Sequence, residues 1–167
     1  MADMVEIFIA HSSKDKWLIG PISENLKLID VYPYLAELDA PNPVSLYDKL
    51  KAEIQKSTAV FLILTRNVMN IPDTRDIVNW EISTAKSLNK LVYVFREQDV
   101  EVPMLIEQLY VYFTFDPLDQ GSLNDTLSQI VTIASRLKEM DDKGRAAATM
   151  IALILGVFFL AAVLGHE

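Results

Sequence analysis

The feature that most constrains the fold is the alternation of short apolar runs with amphipathic helical segments along residues 1–138. Each run of aliphatic and aromatic residues is followed by a segment whose apolar residues recur at helical spacing. The predicted strands are Val5 to Ala10, Val31 to Leu38, Ala59 to Leu64, Leu91 to Phe95 and Tyr110 to Phe115. The predicted helices cover Lys14 to Leu28, a segment capped by Ser45, Asp76 to Leu88, and a stripe from Leu123 to Leu137. This alternation predicts an α/β fold, with a five-stranded parallel sheet between two layers of helices.

The strand order predicts where a ligand would bind. The unbroken apolar run Ala59 to Leu64 indicates the centre of the sheet, and Pro33 moves the second strand toward an edge. A unit of this kind has the flavodoxin-like order 2-1-3-4-5, and ligands bind beyond the ends of strands one and three. The residues expected there are His11, Ser12, Ser13, Thr65 and Arg66.

A phosphoryl-accepting receiver domain shares this fold, but this chain lacks the residues that such a domain needs. It would need acidic residues after strand one, an aspartate ending strand three and a lysine ending strand five. The chain has His11-Ser12, Thr65-Arg66 and Asp116-Pro117 at those points.

Composition excludes several other classes. The formal net charge of -8 is unsuited to nucleic-acid binding through phosphate neutralisation, so no nucleic-acid partner is expected. Without cysteine, and with only His11 and His166, the chain offers neither a thiol nucleophile nor a Cys or His metal site. Its five glycines match neither a dinucleotide-binding fingerprint nor a phosphate-binding loop of the Walker type.

Residues 146–165 form an apolar run of about 20 residues without a charge, long enough for one membrane-spanning helix. Lys143 and Arg145 precede it, which favours a cytoplasmic N-terminal domain and predicts a single-pass, tail-anchored membrane protein. The predicted organisation is a domain at 1–138, a juxtamembrane linker at 139–145 and the membrane helix. A buried core helix is the alternative. Small residues recur every four positions, which suits helix pairing but is also common in membrane helices: Ala148, Ala152 and Gly156.

Four segments in order resemble the Toll/interleukin-1 receptor (TIR) domain family, especially its bacterial and archaeal members. They are Phe8 to Asp15 (FIAHSSKD), Ala36 to Asp39 with Pro41 and Asn42, Ser45 to Ser57 leading into the third strand, and Trp80 to Ala85 (WEISTA). The second segment is similar to the family's BB loop. The resemblance implies a flavodoxin-like TIR fold and self-association through TIR-TIR contacts.

The resemblance also implies one of two functions, either scaffolding or cleavage of NAD+ at the nicotinamide-ribose bond. The enzymes share a glutamate on the third helix, and Glu81 matches it. On periodicity alone, Glu81 would be a solvated surface carboxylate that shares a stripe with Ile77 and Ala85. With the resemblance, it is the predicted catalytic residue of an NAD+ hydrolase or cyclase in prokaryotic defence or NAD+ signalling.

The other predicted substrate-binding residues lie at the switch point, at the segment similar to the BB loop, or beside Glu81 on its helix. They are His11, Ser12, Ser13, Glu37, Asp39, Pro41, Ile77 and Trp80. Core packing of Trp80, capping by Ser12 and turn roles for Glu37 and Asp39 remain alternatives. A carboxylate suits the chemistry because it stabilises an oxocarbenium-like ribose, and nicotinamide leaves without protonation. NAD+ is therefore a substrate, and no cofactor or metal is expected. The alternatives to an enzyme are a TIR-TIR adaptor at the membrane and a nucleotide-sensing module.

Overall fold

The computed structural model describes residues 4–36, 43–102 and 111–142, which form one parallel sheet covered by helices. The chain runs through β1 (Val5–Ala10), a 3-10 turn (Ser13–Asp15), α1 (Lys16–Leu28), β2 (Val31–Leu35), α2 (Pro43–Lys56), β3 (Ala59–Leu64), α3 (Arg66–Asn70), α4 (Pro72–Ser87), β4 (Leu91–Glu97), β5 (Val111–Phe115) and α5 (Gln120–Asp142). The strand order is β2-β1-β3-β4-β5 and every pairing is parallel, as predicted.

Two apolar clusters lie on opposite faces of the sheet, because alternate residues of each strand point to opposite sides. The first cluster contains Phe61, Tyr93 and Phe95 and is covered by α1 and α5. The second contains Phe8, Leu62 and Val94 and is covered by α2, α3 and α4. All six residues of β1 and of β3 are buried, which agrees with central strands covered on both sides.

All five strands begin at one edge of the sheet and end at the other. We call these the amino edge and the carboxyl edge. Asp30 and Asn89 follow α1 and α4 at the amino edge with φ of 58° and 56°, a left-handed conformation that Asp and Asn tolerate better than most residues. The chain therefore turns from helix to strand there without glycine.

Several predicted boundaries were wrong. The segment from Arg66 to Arg75 lies between the predicted third strand and the predicted helix at Asp76, and it forms α3 and the start of α4 instead of a polar loop. Thr65 caps α3 by accepting a hydrogen bond from the Val68 N–H. Pro72 lies in the first turn of α4, where a backbone N–H has no partner within the helix, so the N–H that proline lacks is not missed. Helix α2 begins at Pro43, two residues before the predicted cap Ser45.

Boundaries at both ends of the domain also differ. A 3-10 turn precedes α1, which begins at Lys16 rather than Lys14. Strand β2 ends at Leu35 and not at Leu38. Helix α5 continues to Asp142, so residues 139–142 of the predicted linker are helical, because Met140 extends the apolar stripe into the core.

Residues 146–165 lie outside the described ranges, so the predicted membrane helix stays a prediction. Among the residues that the structure describes, no helix is long and apolar enough to cross a bilayer.

Candidate functional site

The switch point brings the ends of β1 and β3 together at the carboxyl edge. β1 pairs with both β2 and β3, and the ladder to β3 reaches Ala10, which pairs with Leu62. The loops that follow the two strands are therefore neighbours.

Asp15 joins these two loops. Its carboxylate is 2% exposed and accepts from Thr65 Oγ1 at 2.5 Å and from Asn67 Nδ2 at 2.7 Å. Both donors lie about fifty positions away in the sequence, so the bonds hold the β1 loop against the start of α3. No local pattern in the sequence predicts these two bonds, and nothing in it identifies Asn67.

His11 has a defined tautomer. Its Nδ1 lies 2.9 Å from the Ile9 carbonyl oxygen, which can only accept, so Nδ1 carries the proton. Burial lowers the pKa of His11 below its ordinary value, although the Ile9 bond and the charge of Asp15 act in the opposite direction. The ring is therefore neutral at pH 7, and its Nε2 is an acceptor.

Ser12 and Ser13 differ in their surroundings. Ser12 is fully buried, and its Oγ accepts from the Lys14 N–H at 3.2 Å, so it caps the 3-10 turn. Ser13 is exposed on that turn. Arg66 is held by Glu97, which accepts from the Arg66 backbone N–H at 2.7 Å and lies 3.8 Å from Nε. Ser13 and the Arg66 side chain, which is 63% exposed, are therefore open to solvent.

Glu81 lies on the buried face of α4. Its side chain is 1% exposed, and it shares that face with Thr74, Val78, Ile82 and Ala85. Among the described residues, Oε2 has no hydrogen-bond partner. The interpretation of Glu81 as a solvated surface carboxylate is therefore wrong.

Burial raises the pKa of Glu81 to about 8, and no other cause contributes to the shift. A carboxylate removed from water without a compensating charge or hydrogen bond is destabilised relative to its neutral acid. Glu81 is consequently mostly protonated at pH 7 in this conformation. Buried, unpaired carboxyl groups with strongly raised pKa values are typical of functional sites.

Two predicted neighbours of Glu81 lie beside it on α4. Ile77 and Trp80 are half-buried against the second apolar cluster. The Trp80 ring also contacts the half-exposed Tyr47 of α2, with centroids 4.8 Å apart and planes tilted by 60°. Trp80 therefore has a packing role, as the alternative proposed, and Tyr47 is an aromatic neighbour that the sequence did not identify.

The remaining predicted residues are not placed by the structure. Glu37, Asp39 and Pro41 lie outside the described residues. The described contacts bring His11 toward Asp15 and Trp80 toward Tyr47, whereas none of them joins Glu81 to His11 or Ser12.

A cavity of about 230 Å³ lies between α1 and α5, lined by residues such as Trp17 and Leu123. It is on the opposite face of the sheet from α4, so it is not part of the Glu81 site. Within the described ranges, no group of acidic or histidine side chains is arranged to hold a metal ion.

Comparison with known families gives a match over most of the chain. A sequence profile of the family described as TIR domain matches residues 7–131, well over half of the chain. A search of curated proteins gives no match.

Solved structures with the same fold include three distant ones. The TIR domain of a Toll-related receptor from Hydra magnipapillata is 14% identical, with a TM-score of 0.53, covering 74% of this chain and 96% of its own. A CMP N-glycosidase from Clostridium botulinum is 13% identical, with a TM-score of 0.53 and coverages of 74% and 98%. A 2-deoxyribosyltransferase from Bacillus psychrosaccharolyticus is 15% identical, with a TM-score of 0.53 and coverages of 71% and 96%. At these identities the similarity establishes the fold alone.

Proposed function

Because the chain belongs to the TIR domain family, we propose that it is an NAD+ glycohydrolase or cyclase whose catalytic residue is Glu81. The observation that carries the proposal is the carboxyl group of Glu81, which is 1% exposed on α4 and has an unpartnered Oε2 among the described residues. A buried polar atom without a partner costs free energy, so a purely structural position would not favour glutamate.

The chemistry fits one carboxylate. Cleavage of the nicotinamide-ribose bond develops positive charge on the ribose, and an anion beside it stabilises that charge. Water then captures the ribose in hydrolysis, or an adenine nitrogen captures it in cyclisation. A CMP N-glycosidase with the same fold supports the view that this architecture accommodates chemistry at a nucleotide's glycosidic bond.

The protonation state of Glu81 makes this activity conditional. The acid must lose its proton to stabilise a cation, and a positively charged nicotinamide ring placed near it would lower its pKa. Because Glu81 is buried in the described conformation, the substrate must also displace what covers it. We propose that self-association through TIR-TIR contacts produces the accessible conformation, and that residues 146–165 promote it by anchoring the domain to a membrane, with the domain on its cytoplasmic side.

The decisive test is NAD+ cleavage by the full chain, followed by chromatography of the products. Glu81→Gln should reduce turnover a hundredfold or more, because loss of one such electrostatic group costs about 2.7 to 4 kcal/mol in the transition state. The matched control is Asp76→Asn, which removes an exposed carboxylate from the same helix and should leave turnover unchanged. Unchanged turnover in Glu81→Gln would refute the catalytic assignment.

A pH profile tests the ionisation separately. Because Glu81 has a pKa of about 8 in the enzyme without substrate, kcat/KM should rise with pH until about 8 and then level off. A flat profile between about pH 6 and pH 9 would contradict the proposed role of the carboxylate.

The second candidate is a non-enzymatic TIR-TIR adaptor, which the inaccessibility of Glu81 favours. An adaptor would give no NAD+ cleavage at any protein concentration or on vesicles. An enzyme activated by self-association would instead show activity that increases more steeply than protein concentration.

A further inference from the structure

Three exposed apolar side chains lie together at the amino edge of the sheet. Met4 precedes β1 and is 67% exposed, Leu28 ends α1 and is 81% exposed, and Tyr32 near the start of β2 is 44% exposed. Met4 and Tyr32 also line one cavity of about 320 Å³. Tyr32 also lines a second cavity with Lys27, the residue before Leu28, so the three exposed side chains lie around the place where α1 ends and β2 begins. We call Met4, Leu28 and Tyr32 the amino-edge patch.

Helix α5 ends at the same edge. Lys138 Nζ donates to the Ile29 carbonyl oxygen at 3.0 Å and lies 3.9 Å from Asp30 Oδ2, directly beside Leu28 in sequence. The helix ends one turn later at Asp142. From there, four peptide steps lead to Ala146, a span of about 14 Å at most. The described chain therefore ends at the amino edge, four residues before the apolar run at 146–165.

Lysines stand at the ends of several helices at the amino edge. Helices α1, α2 and α4 run toward the amino edge, and each has a lysine in its last turn: Lys27, Lys56 and Lys86. Lys56 is 67% exposed and lines the same cavity as Met4 and Tyr32, where it lies 3.8 Å from Glu6 and 3.9 Å from Glu53. The acids at this end have lysines beside them, since Glu6 and Glu53 share Lys56 and Asp30 lies beside Lys138.

We propose that the amino edge of the domain lies on an anionic phospholipid bilayer, with the amino-edge patch in the headgroup region and Lys27 and Lys86 near lipid phosphates. The proposal rests on the membrane anchor of the proposed function, which fixes one end of α5 close to the membrane. Tyrosine favours the membrane-water interface, and lysine stems cover apolar surface while their ammonium groups reach phosphate. An isolated anchor would tether the domain without orienting it, whereas this surface orients it.

The experiment uses the absence of cysteine from the whole chain, which makes one introduced cysteine a unique label site. Leu28→Cys places a fluorophore in the patch. Leu118→Cys is the matched control, because Leu118 is 95% exposed and lies at the carboxyl edge just before α5. Since α5 has 23 residues, the two ends of the domain are roughly 34 Å apart. Each labelled full chain is reconstituted into phosphatidylcholine vesicles with and without phosphatidylserine.

Flotation of the vesicles reports anchoring, and quenching by lipids with a nitroxide on the headgroup reports proximity to the bilayer. We expect both variants to float and the label at position 28 to be quenched several-fold more than the label at 118. The difference should be larger with phosphatidylserine. Lys27→Gln combined with Lys86→Gln should reduce it without changing flotation.

Other outcomes overturn the proposal at different points. Flotation with equal quenching at both positions would refute the oriented surface and leave the anchor intact. A label at 28 that is shielded from lipid but shifted to an apolar emission would show that a second copy covers the patch. Failure of both variants to float would refute the anchor, and the oriented surface with it.

Discussion

Two buried carboxyl groups, Asp15 and Glu81, have opposite surroundings. Asp15 is 2% exposed and accepts hydrogen bonds from Thr65 and Asn67, whereas Glu81 is 1% exposed and its Oε2 has no partner in the described part of the chain. Burial removes water from both carboxyl groups, which costs free energy, and hydrogen bonds compensate this cost only for Asp15. The comparison indicates that Asp15 serves the fold, while Glu81 weakens it and therefore requires a functional explanation.

The largest expected effect is the pH dependence of stability caused by Glu81. Its pKa rises from an ordinary 4.5 to about 8 on folding, so between these values the unfolded state loses the proton first. The contribution of Glu81 to the free energy of unfolding is therefore fully present below about pH 4.5 and is lost as pH rises to about 8. The free energy of unfolding falls by up to about 1.4 kcal/mol per pH unit in this range. Glu81→Gln removes this loss.

Urea denaturation of wild type and Glu81→Gln across this pH range measures the difference. The two proteins should have similar stability near pH 4.5, and the variant should become progressively more stable toward pH 8. A constant difference across the range would show that Glu81 does not change its proton affinity on folding.

Asp15 should give a smaller effect of the opposite sign. Asp15→Ala leaves the Thr65 hydroxyl and the Asn67 amide without their acceptor, which should cost about 2 kcal/mol of unfolding free energy at pH 7. The control Glu24→Ala removes an exposed acid of α1 and should have almost no effect. Equal stability of Asp15→Ala and wild type would remove the contrast between the two carboxyl groups.

The sequence predicted the strands and their order but only part of the site. Parallel strands buried on both faces are recognisable because their apolar runs are local, as in β1 and β3. The bonds from Thr65 and Asn67 to Asp15 depend on two loops meeting across the switch point. The burial of Glu81 depends on how α4 rotates against the sheet, since helical periodicity also allowed a solvated position.

The smallest expected effect concerns His11, which extends the comparison to a group buried in its neutral form. Burial lowers its pKa below 6.5, so the unfolded state binds the proton first as pH falls through that value. Stability should therefore decrease on the acid side, opposite to the trend from Glu81. His11→Gln should lack this decrease in denaturation curves between about pH 5 and pH 7, and an identical decrease in the variant would assign it to another group.

The position of α5 in the chain has a consequence for protein synthesis. The second apolar cluster is covered by α2, α3 and α4, which are made before β5, whereas the first cluster depends on Ile130, Ile133 and Leu137 of α5 for much of its cover. Until α5 leaves the ribosome, Phe61, Tyr93 and Phe95 are therefore covered by only some of the residues that pack on them in the folded domain. During that interval the sheet exposes apolar surface of the kind that chaperones bind. Packing on both faces of the sheet is completed only late in translation.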